Sequence, residues 1–129
     1  MPKAFLIFSH ELTKEQANEL REKWEISHFA PLPEKLKGLW SNIPPELEEI
    51  KPHLLPILQW LERESNPKDI ALIQGDPGAV YITVNKAFEL GLIPIYATTK
   101  RIVRERKLPD GTVQQIRVFT HNKFRIYGR

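Results

Sequence analysis

The stretch from Asp69 to Arg101 constrains the fold most, because it predicts a strand, a turn, a helix and a second strand in direct succession. Ile70–Ile73 is a short apolar run that ends at Gly-Asp-Pro-Gly, which indicates a buried strand followed by a sharp turn. Asp76 can cap the next helix, and Gly91 is placed to end it in the left-handed conformation. Ile93–Ala97 then resumes an apolar strand. Ligands of open parallel sheets bind outside the carboxyl ends of the strands, so the turn and the second strand end are expected to face one crevice.

The rest of the chain continues this alternation of strands and helices. Ala4–Phe8 and Ile26–Ala30 are apolar runs that predict two further strands, and helices are predicted over Lys14–Trp24 and His53–Glu64. The first of these helices begins with a Thr-x-x-Gln capping box. Trp40 is expected to anchor the core rather than to stack on a ligand. In the helix after Asp76, the buried stripe is expected to consist of Val80, Val84, Ala87 and Phe88, with Tyr81 and Asn85 beside it.

A β-hairpin is predicted near the end of the chain, where residues 101–108 and 112–119 flank a Pro-Asp-Gly turn. Residues 120–127 are expected to add a short terminal strand. The patterns together predict a single α/β domain over residues 1–129, with a mainly parallel sheet, flanking helices and a C-terminal β-hairpin within residues 100–129. A chain of 129 residues that is 41% hydrophobic can bury one modest core, which agrees with one domain.

Composition excludes several functional classes. The chain has no cysteine, which rules out disulfides, thiolate metal sites and a cysteine nucleophile. Its apolar runs are too short to span a membrane, and Lys3 precedes a strand rather than a signal peptide, so a soluble cytoplasmic protein is expected. The four histidines lack ligand spacing and the acidic residues form no cluster, so neither a metal nor a cofactor is expected.

Charge is distributed unevenly along the chain. Residues 1–99 carry 10 Lys and Arg against 14 Asp and Glu, whereas residues 100–129 carry 9 against 2. The basic segment follows the last predicted parallel strand and therefore adjoins the predicted crevice. This favours a polyanionic partner such as a nucleotide or RNA, and the alternative is a solvated hairpin.

Two strand ends carry residues of catalytic or binding type. His10 lies beside Ser9 at the end of the first predicted strand, and its imidazole can take a proton from a 2′-hydroxyl or give one to a leaving oxygen. The alternative is a histidine that caps a helix or bonds a backbone carbonyl. The turn after the other strand resembles an anion site, but capping is the favoured role of Asp76 because its charge repels phosphate. The Gly75-x-x-Gly78 spacing matches neither the dinucleotide fingerprint nor the Walker motif.

The basic segment supplies the remaining candidates. Thr98, Thr99, Lys100 and Arg101 are expected at a strand end, where hydroxyls and fixed charges suit phosphate contacts, with plain solvation as the alternative. The first hairpin arm adds Arg104. The last candidates are every second residue of the predicted terminal strand. Their alternation would place four side chains on one face: His121, Lys123, Arg125 and Tyr127. That face is expected to cover a ligand or a partner subunit, or to remain in solvent.

Several of these stretches together resemble the CRISPR-associated Csx family numbered twenty. The matching segments are LIFSHELT, LWSNIPPEL, IQGDPGAVYITVNKAFELGLIPIYATTKR, LPDGT and FTHNKFRIY, which span nearly the whole chain. The resemblance implies a Rossmann-like domain, usually dimeric, that accompanies type III CRISPR systems. It also implies a ring nuclease that binds the second messenger cyclic tetra-adenylate and linearises it to switch the response off. Because the residues predict no metal site, this cleavage is expected to be metal-independent and to use an internal 2′-hydroxyl as the nucleophile.

On this interpretation the expected catalytic residues are His10, Lys100 and Arg101. The expected ligand-binding residues are Ser9, Gln74, Gly75, Asp76, Gly78, Thr98, Thr99, Arg104, His121 and Arg125. The expected partners are cyclic oligoadenylate and a second copy of the chain, with neither DNA nor a membrane involved. Two alternatives stay open: a protein that binds the ring without cutting it, and a general single-stranded RNA binder. Exposed aromatic residues for the latter are not evident in the sequence.

Overall fold

The computed structural model describes residues 2–129. This part of the chain contains five strands and four helices. In chain order they are β1 (Lys3–Ile7), α1 (Lys14–Glu22), β2 (His28–Pro31), α2 (Glu34–Ser41), α3 (Lys51–Glu64), β3 (Ile70–Ile73), α4 (Pro77–Glu89), β4 (Ile93–Lys107) and β5 (Val113–Ile126). No helix within residues 2–129 has the length and apolar character needed to cross a membrane.

All five strands form one sheet in the order β2-β1-β3-β4-β5. The first four strands run parallel, and β5 pairs antiparallel with β4 at the edge. This arrangement confirms the predicted fold class, which is α/β with a mainly parallel, Rossmann-like sheet, flanking helices and a C-terminal hairpin. The capping box of α1 is also confirmed, and Gly91 ends α4 with φ of 75°.

The helices divide between the two faces of the sheet. The core on one face includes Leu20 of α1, and the core on the other includes side chains of α2, α3 and α4. Alternate residues of β3 point to the two cores, with Ala71 and Ile73 toward α2, α3 and α4, and Leu72 toward α1. A strand covered on both faces has no solvent side, which explains why Ile70–Ile73 is apolar throughout.

The helix α3 begins at Lys51, two residues before the predicted start at His53. Pro52 fits this earlier start because a residue in the first turn has no intrahelical partner for its N–H. Pro56 lies inside the helix, and the predicted end at Glu64 is confirmed. Burial of Leu54, Ile57 and other apolar side chains of α3 in the core outweighs the weak helix preference of these prolines.

The C-terminal region differs from its prediction. β4 and β5 are each continuous, so the short strand, the hairpin and the terminal strand predicted from the sequence form one long two-stranded ribbon. Thr98–Arg101 therefore lies in the middle of β4, and the prediction that it ends a strand is wrong. The strand continues because antiparallel pairing with β5 satisfies its backbone as far as Lys107, well beyond its pairing with β3 at Ile95.

A β-bulge lies where the ribbon leaves the parallel sheet. Thr98 pairs with Lys123 and Thr99 with His121, which leaves Asn122 as an extra residue in β5. The Thr98 hydroxyl supports the bulge, since it donates to the Lys123 carbonyl at 2.7 Å and accepts from the Lys123 N–H at 3.2 Å. The bulge puts His121 on the α1 side of the sheet, so the prediction that it shares a face with Lys123 and Arg125 is wrong.

Glu19 of α1 holds the first helix to the last strand. Its carboxylate accepts hydrogen bonds from the backbone N–H of Phe124 at 3.0 Å and the indole N–H of Trp24 at 3.1 Å. The Nε2 atom of His121 lies 2.7 Å from the other carboxylate oxygen. Burial by itself raises the pKa of the Glu19 carboxyl, but the hydrogen bonds from Phe124, His121 and Trp24 outweigh it and hold that pKa below its ordinary value of 4.5.

Replacing Glu19 by alanine is expected to lower the free energy of unfolding at pH 7 by about 2–4 kcal/mol, because Phe124 and His121 lose their acceptor. Urea unfolding measures this loss. The loss is full above pH 4.5, the ordinary pKa, and it shrinks as the pH falls through the lower pKa of the folded state, because the wild-type carboxyl then takes up a proton.

Glu22 is the matched control, since it is an exposed glutamate on the same helix. The variant Glu22→Ala is expected to change the unfolding free energy by less than about 0.5 kcal/mol. Equal losses in the two variants would contradict the anchoring role of Glu19.

Candidate functional site

The carboxyl ends of β1 and β3 lie side by side, and we call the region between these two ends the crevice. These strands are neighbours, with Ile7 paired to Ile73, but the chain leaves β1 for α1 on one face and leaves β3 for α4 on the other. Such a switch point is where open α/β sheets bind ligands. Ser9 follows β1 and Gln74 follows β3, so these two loops are adjacent. The second strand end that was predicted to face the β3 turn, Thr98–Arg101, is instead part of the longer strand β4.

The end of α2 joins the two sides of this crevice. Trp40 donates its indole N–H to the carbonyl of Gln74 at 2.9 Å, and the Ser41 hydroxyl donates to the Ser9 hydroxyl at 3.0 Å. Trp40 is buried, which confirms its predicted role as a core anchor. Gly75 is required next to it, because a Cβ atom on Gly75 would lie 2.8 Å from the indole nitrogen of Trp40.

The β3 turn also uses its polar side chains to hold the fold. The side-chain carbonyl of Gln74 accepts the backbone N–H of Ala97 at 2.6 Å, which continues the pairing of β3 with β4 beyond the last residue of β3. Asp76 caps α4 by accepting the N–H of Ala79 at 3.0 Å, so its favoured role is confirmed. Gly78 lets the first turn of α4 lie close to Ile50, whose Cδ1 atom would be 3.2 Å from an added Cβ.

His10 is exposed at the other side of the crevice. Its ring centroid lies 6.5 Å from that of Phe8, and it lines a pocket of about 320 Å³ between the ends of β1 and β2, together with Glu11 and Lys37. Because β3 separates β1 from β4, the backbones of those strands are about 10 Å apart. His10 and the ribbon therefore lie on opposite rims of the crevice.

The ribbon formed by β4 and β5 has two chemically different faces. The contact between Tyr96 and Tyr127, at 4.7 Å between centroids, identifies the face on the α4 side. Within the described strands, the alternation of side chains puts five cations and no carboxylate on that face. We call it the basic face, and it consists of Lys100, Arg104, Arg106, Lys123 and Arg125.

The residues Thr98–Arg101 do not act as one group, which corrects their prediction as a single phosphate site. Neighbouring residues of a strand point to opposite faces, so Lys100 lies on the basic face and Arg101 on the other. Thr98 is occupied by the bulge, and Thr99 is exposed beside His121 in the register. The Arg101 guanidinium lies 6.0 Å from the ring centroid of Phe119, as in a cation–π pair.

Exposed aromatic side chains are present, which corrects the expectation that none is evident. Tyr81 is 72% exposed, Phe119 66% and Phe88 51%. The stripe that α4 buries is Ala79, Thr83 and Ala87, so the predicted burial of Phe88 is wrong. Small side chains on the inner side let α4 approach the sheet closely, and this turns the larger side chains outward. Sequence periodicity missed this because both stripes have helical spacing.

Similarity to known proteins identifies the family of this chain. The family described as "Uncharacterized protein MJ1673 family" matches residues 2–125. The chain belongs to the MJ1673 family. A relative from Methanocaldococcus jannaschii, "Uncharacterized protein MJ1673", is 49% identical over 127 residues, which cover 98% of each chain. No solved structure matches the chain. The match to the MJ1673 family includes the crevice, α4 and nearly all of the ribbon.

Substituting Gly75 by alanine is expected to lower the free energy of unfolding of this MJ1673 family member by about 2 kcal/mol or more, since the new methyl group displaces the Trp40 indole from the Gln74 carbonyl. Thermal denaturation followed by tryptophan fluorescence measures the effect.

Gly38 provides a matched control because it lies inside α2 with nothing within 4 Å of an added Cβ. Gly38→Ala is expected to stabilise the protein by about 0.5–1 kcal/mol, as alanine does in a helix interior. Stabilisation by both substitutions would contradict the close approach of Trp40 to Gly75.

Proposed function

We propose that this protein is a ring nuclease that binds cyclic tetra-adenylate in the crevice and linearises it without a metal, switching off type III CRISPR signalling in the cytoplasm. The observation that carries the proposal is the basic face, most of which lies where β4 and β5 extend beyond the carboxyl end of β3. A cyclic oligoadenylate is a compact polyanion, and a row of fixed cations beside a sheet switch point suits its phosphates. The resemblance of the sequence to the Csx family numbered twenty supports this choice among polyanions.

The separation of His10 from the basic face favours a ring over a mononucleotide. One phosphate cannot meet groups on two rims that are two strands apart, whereas a ring of four nucleotides has phosphates on opposite sides. The ring is therefore oriented with one phosphodiester near His10 and others along the basic face.

His10 is the proposed acid–base residue, and Ser9 orients it or the ribose. In the reaction the imidazole takes the proton of a ribose 2′-hydroxyl, and the 2′-oxygen attacks the adjacent phosphorus. The bond to the 5′-oxygen breaks, that oxygen takes up a proton, and the products are a 2′,3′-cyclic phosphate and a 5′-hydroxyl. Lys100 is the proposed partner for charge on the phosphorane, because it lies on the basic face. Arg101 points to the opposite face, so we assign it no role in this step.

A homodimer is part of the proposal. The face opposite the basic face exposes Val103, Val113 and Phe119, and an isolated two-stranded ribbon is only marginally stable in water. A second copy that covers these side chains stabilises the ribbon and leaves both basic faces open. Sedimentation velocity at micromolar concentration tests this part, and a monomer would remove it.

The alternative function is a protein that sequesters or senses the ring without cutting it. The specific observation in its favour is that Ser9, Gln74 and Asp76 are all engaged in holding the fold, which leaves His10 as the single proposed proton-transfer group in the crevice.

Incubation with labelled cyclic tetra-adenylate in EDTA is expected to yield linear fragments that end in a 2′,3′-cyclic phosphate. Tight binding with an intact ring would leave the sequestering alternative, and no binding would remove the second-messenger proposal.

His10→Ala is expected to slow ring opening by about 10²–10⁴-fold while binding is retained, because general acid–base catalysis contributes a factor of that size. His28→Ala is the control, since His28 is an exposed histidine at the opposite end of the sheet. An unchanged cleavage rate in the His10→Ala variant would contradict the proposed role of His10.

The two faces of the ribbon offer a matched pair of arginines. Arg104 lies on the basic face, and Arg117 lies nearby on the opposite face, paired with Val103. Arg104→Gln is expected to weaken binding of cyclic tetra-adenylate about tenfold and to flatten its salt dependence, because a charged hydrogen bond to phosphate is lost. Arg117→Gln is expected to leave both quantities nearly unchanged in a calorimetric titration. Equal losses would show that the cations act through net charge rather than through the basic face.

A further inference from the structure

An apolar pocket lies between α4 and the segment after β5, and Pro77 is its one lining residue that belongs to the turn beside the crevice. It has a volume of about 540 Å³, within the range of pockets that hold small ligands. Tyr81, Asn85 and Phe88 line it from α4, and Tyr127 lines it from the segment after β5. The spacing of the three α4 residues puts them on one side of the helix, one turn apart.

Tyr81 and Phe88 are unusual in their exposure for side chains of their size. Tyr81 is 72% exposed and Phe88 51%, although the inner side of α4 buries only alanine and threonine. Exposed apolar residues are usually scattered singly over a protein surface. Two exposed aromatic rings grouped at one pocket therefore indicate a ligand-binding surface. Asn85 lies between them and adds an amide with both donor and acceptor groups.

The opposite wall is fixed in position by hydrogen bonding and stacking. The hydroxyl of Tyr127 donates to the carbonyl of Ile73, at the end of β3. Burial raises the pKa of the Tyr127 phenol, and the nearby Tyr96 adds to this, so the phenol keeps its proton. Tyr127 also packs on Tyr96 at 4.7 Å between ring centroids. A rigid aromatic wall therefore faces the exposed rings of α4.

Tyr96 connects the aromatic wall of this pocket to the basic face. The guanidinium of Arg125 lies 6.0 Å from the ring centroid of Tyr96, which in turn packs on Tyr127. Lys123 is the next cation of the same face toward the ribbon. An apolar pocket with an amide in its wall and a cation beyond the neighbouring Tyr96 ring offers the three kinds of contact that a nucleotide requires.

We propose that this pocket is a nucleobase site, in which an adenine stacks on Tyr81, the amide of Asn85 contacts the edge of the base and Arg125 binds the adjoining phosphate. This proposal rests on the proposed function and deepens it, because it assigns one base of the ring to residues outside the crevice. Adenine suits the site since an asparagine amide can pair with its N6 and N7 atoms. Arg125 beyond the Tyr96 ring favours a nucleotide, which carries a phosphate, over a lipid chain or an apolar helix.

Calorimetric titration of cyclic tetra-adenylate into variants of the full chain tests the proposal. Tyr81→Ala is expected to weaken binding about tenfold or more, as the loss of one base–aromatic stack does. Tyr81→Phe keeps the ring and is expected to stay within about twofold of the wild type. Asn85→Ala is expected to reduce the preference for cyclic tetra-adenylate over cyclic tetra-uridylate. Leu47→Ala is the control, because it removes an exposed apolar side chain that does not line this pocket. The Leu47→Ala variant is expected to bind cyclic tetra-adenylate as tightly as the wild type.

The outcomes separate this proposal from the proposed function. Equal binding by Tyr81→Ala and wild type would overturn the nucleobase site and leave the ring nuclease standing. If the wild type does not bind the ring, saturation-transfer NMR with adenosine monophosphate still tests the pocket. Transfer to the adenine protons that disappears in Tyr81→Ala supports the site, and equal or absent transfer overturns it. A change confined to oligomeric state in Tyr81→Ala would also overturn it, because it would show that a second copy covers the pocket.

Discussion

The carboxylate of Glu19 is the interaction on which the described arrangement most depends. It joins α1 to β5 across a sequence separation of 105 residues, at the place where β5 bulges and leaves the parallel sheet. Backbone pairing with β4 holds β5 in the sheet, and the Glu19 contact and the packing of Phe124 hold α1 against it. Both faces of the ribbon, and hence the direction in which its cations point, follow from how the base of the ribbon is held.

The polar groups of the crevice divide into those that build it and those that remain available. Gln74 and Asp76 are engaged in holding strand and helix ends, and Ser9 is linked to α2. His10 and the basic face lie at the two rims and are exposed to a ligand. A ligand that contacts both rims must therefore be extended, and the aromatic pocket beside α4 is the proposed third point of contact. Three separated contacts suit a cyclic oligonucleotide better than a single nucleotide.

Local sequence patterns predicted the parallel part of the fold because each element there carries its own signal. Ile70–Ile73 is continuous and apolar, Asp76 caps a helix, and Gly91 ends it, so the prediction needed no information on distant contacts. The ribbon required such information. Its length depends on pairing between β4 and β5, and the side on which His121 lies depends on a one-residue bulge that leaves no mark in the sequence. The outward position of Tyr81 and Phe88 was likewise hidden, because tertiary packing chose between two stripes of equal helical spacing.

The extra residue Asn122 determines which residues of β5 lie on each face of the ribbon. In β5 before the bulge, from Val113 to His121, odd-numbered residues point toward the α1 side of the sheet. After the bulge, from Lys123 onward, odd-numbered residues point toward the α4 side. Inserting or deleting one residue of β5 near the bulge turns the side chains between the bulge and the hairpin turn to the opposite face of that strand. Arg117 then lies on the side of the basic face, and Arg104 no longer pairs with Ile116. Changes in ribbon length that preserve the chemistry of both faces therefore come in steps of two residues, taken symmetrically from both strands. Homologous chains can lengthen the arm by whole repeats of the pleat while the base stays fixed.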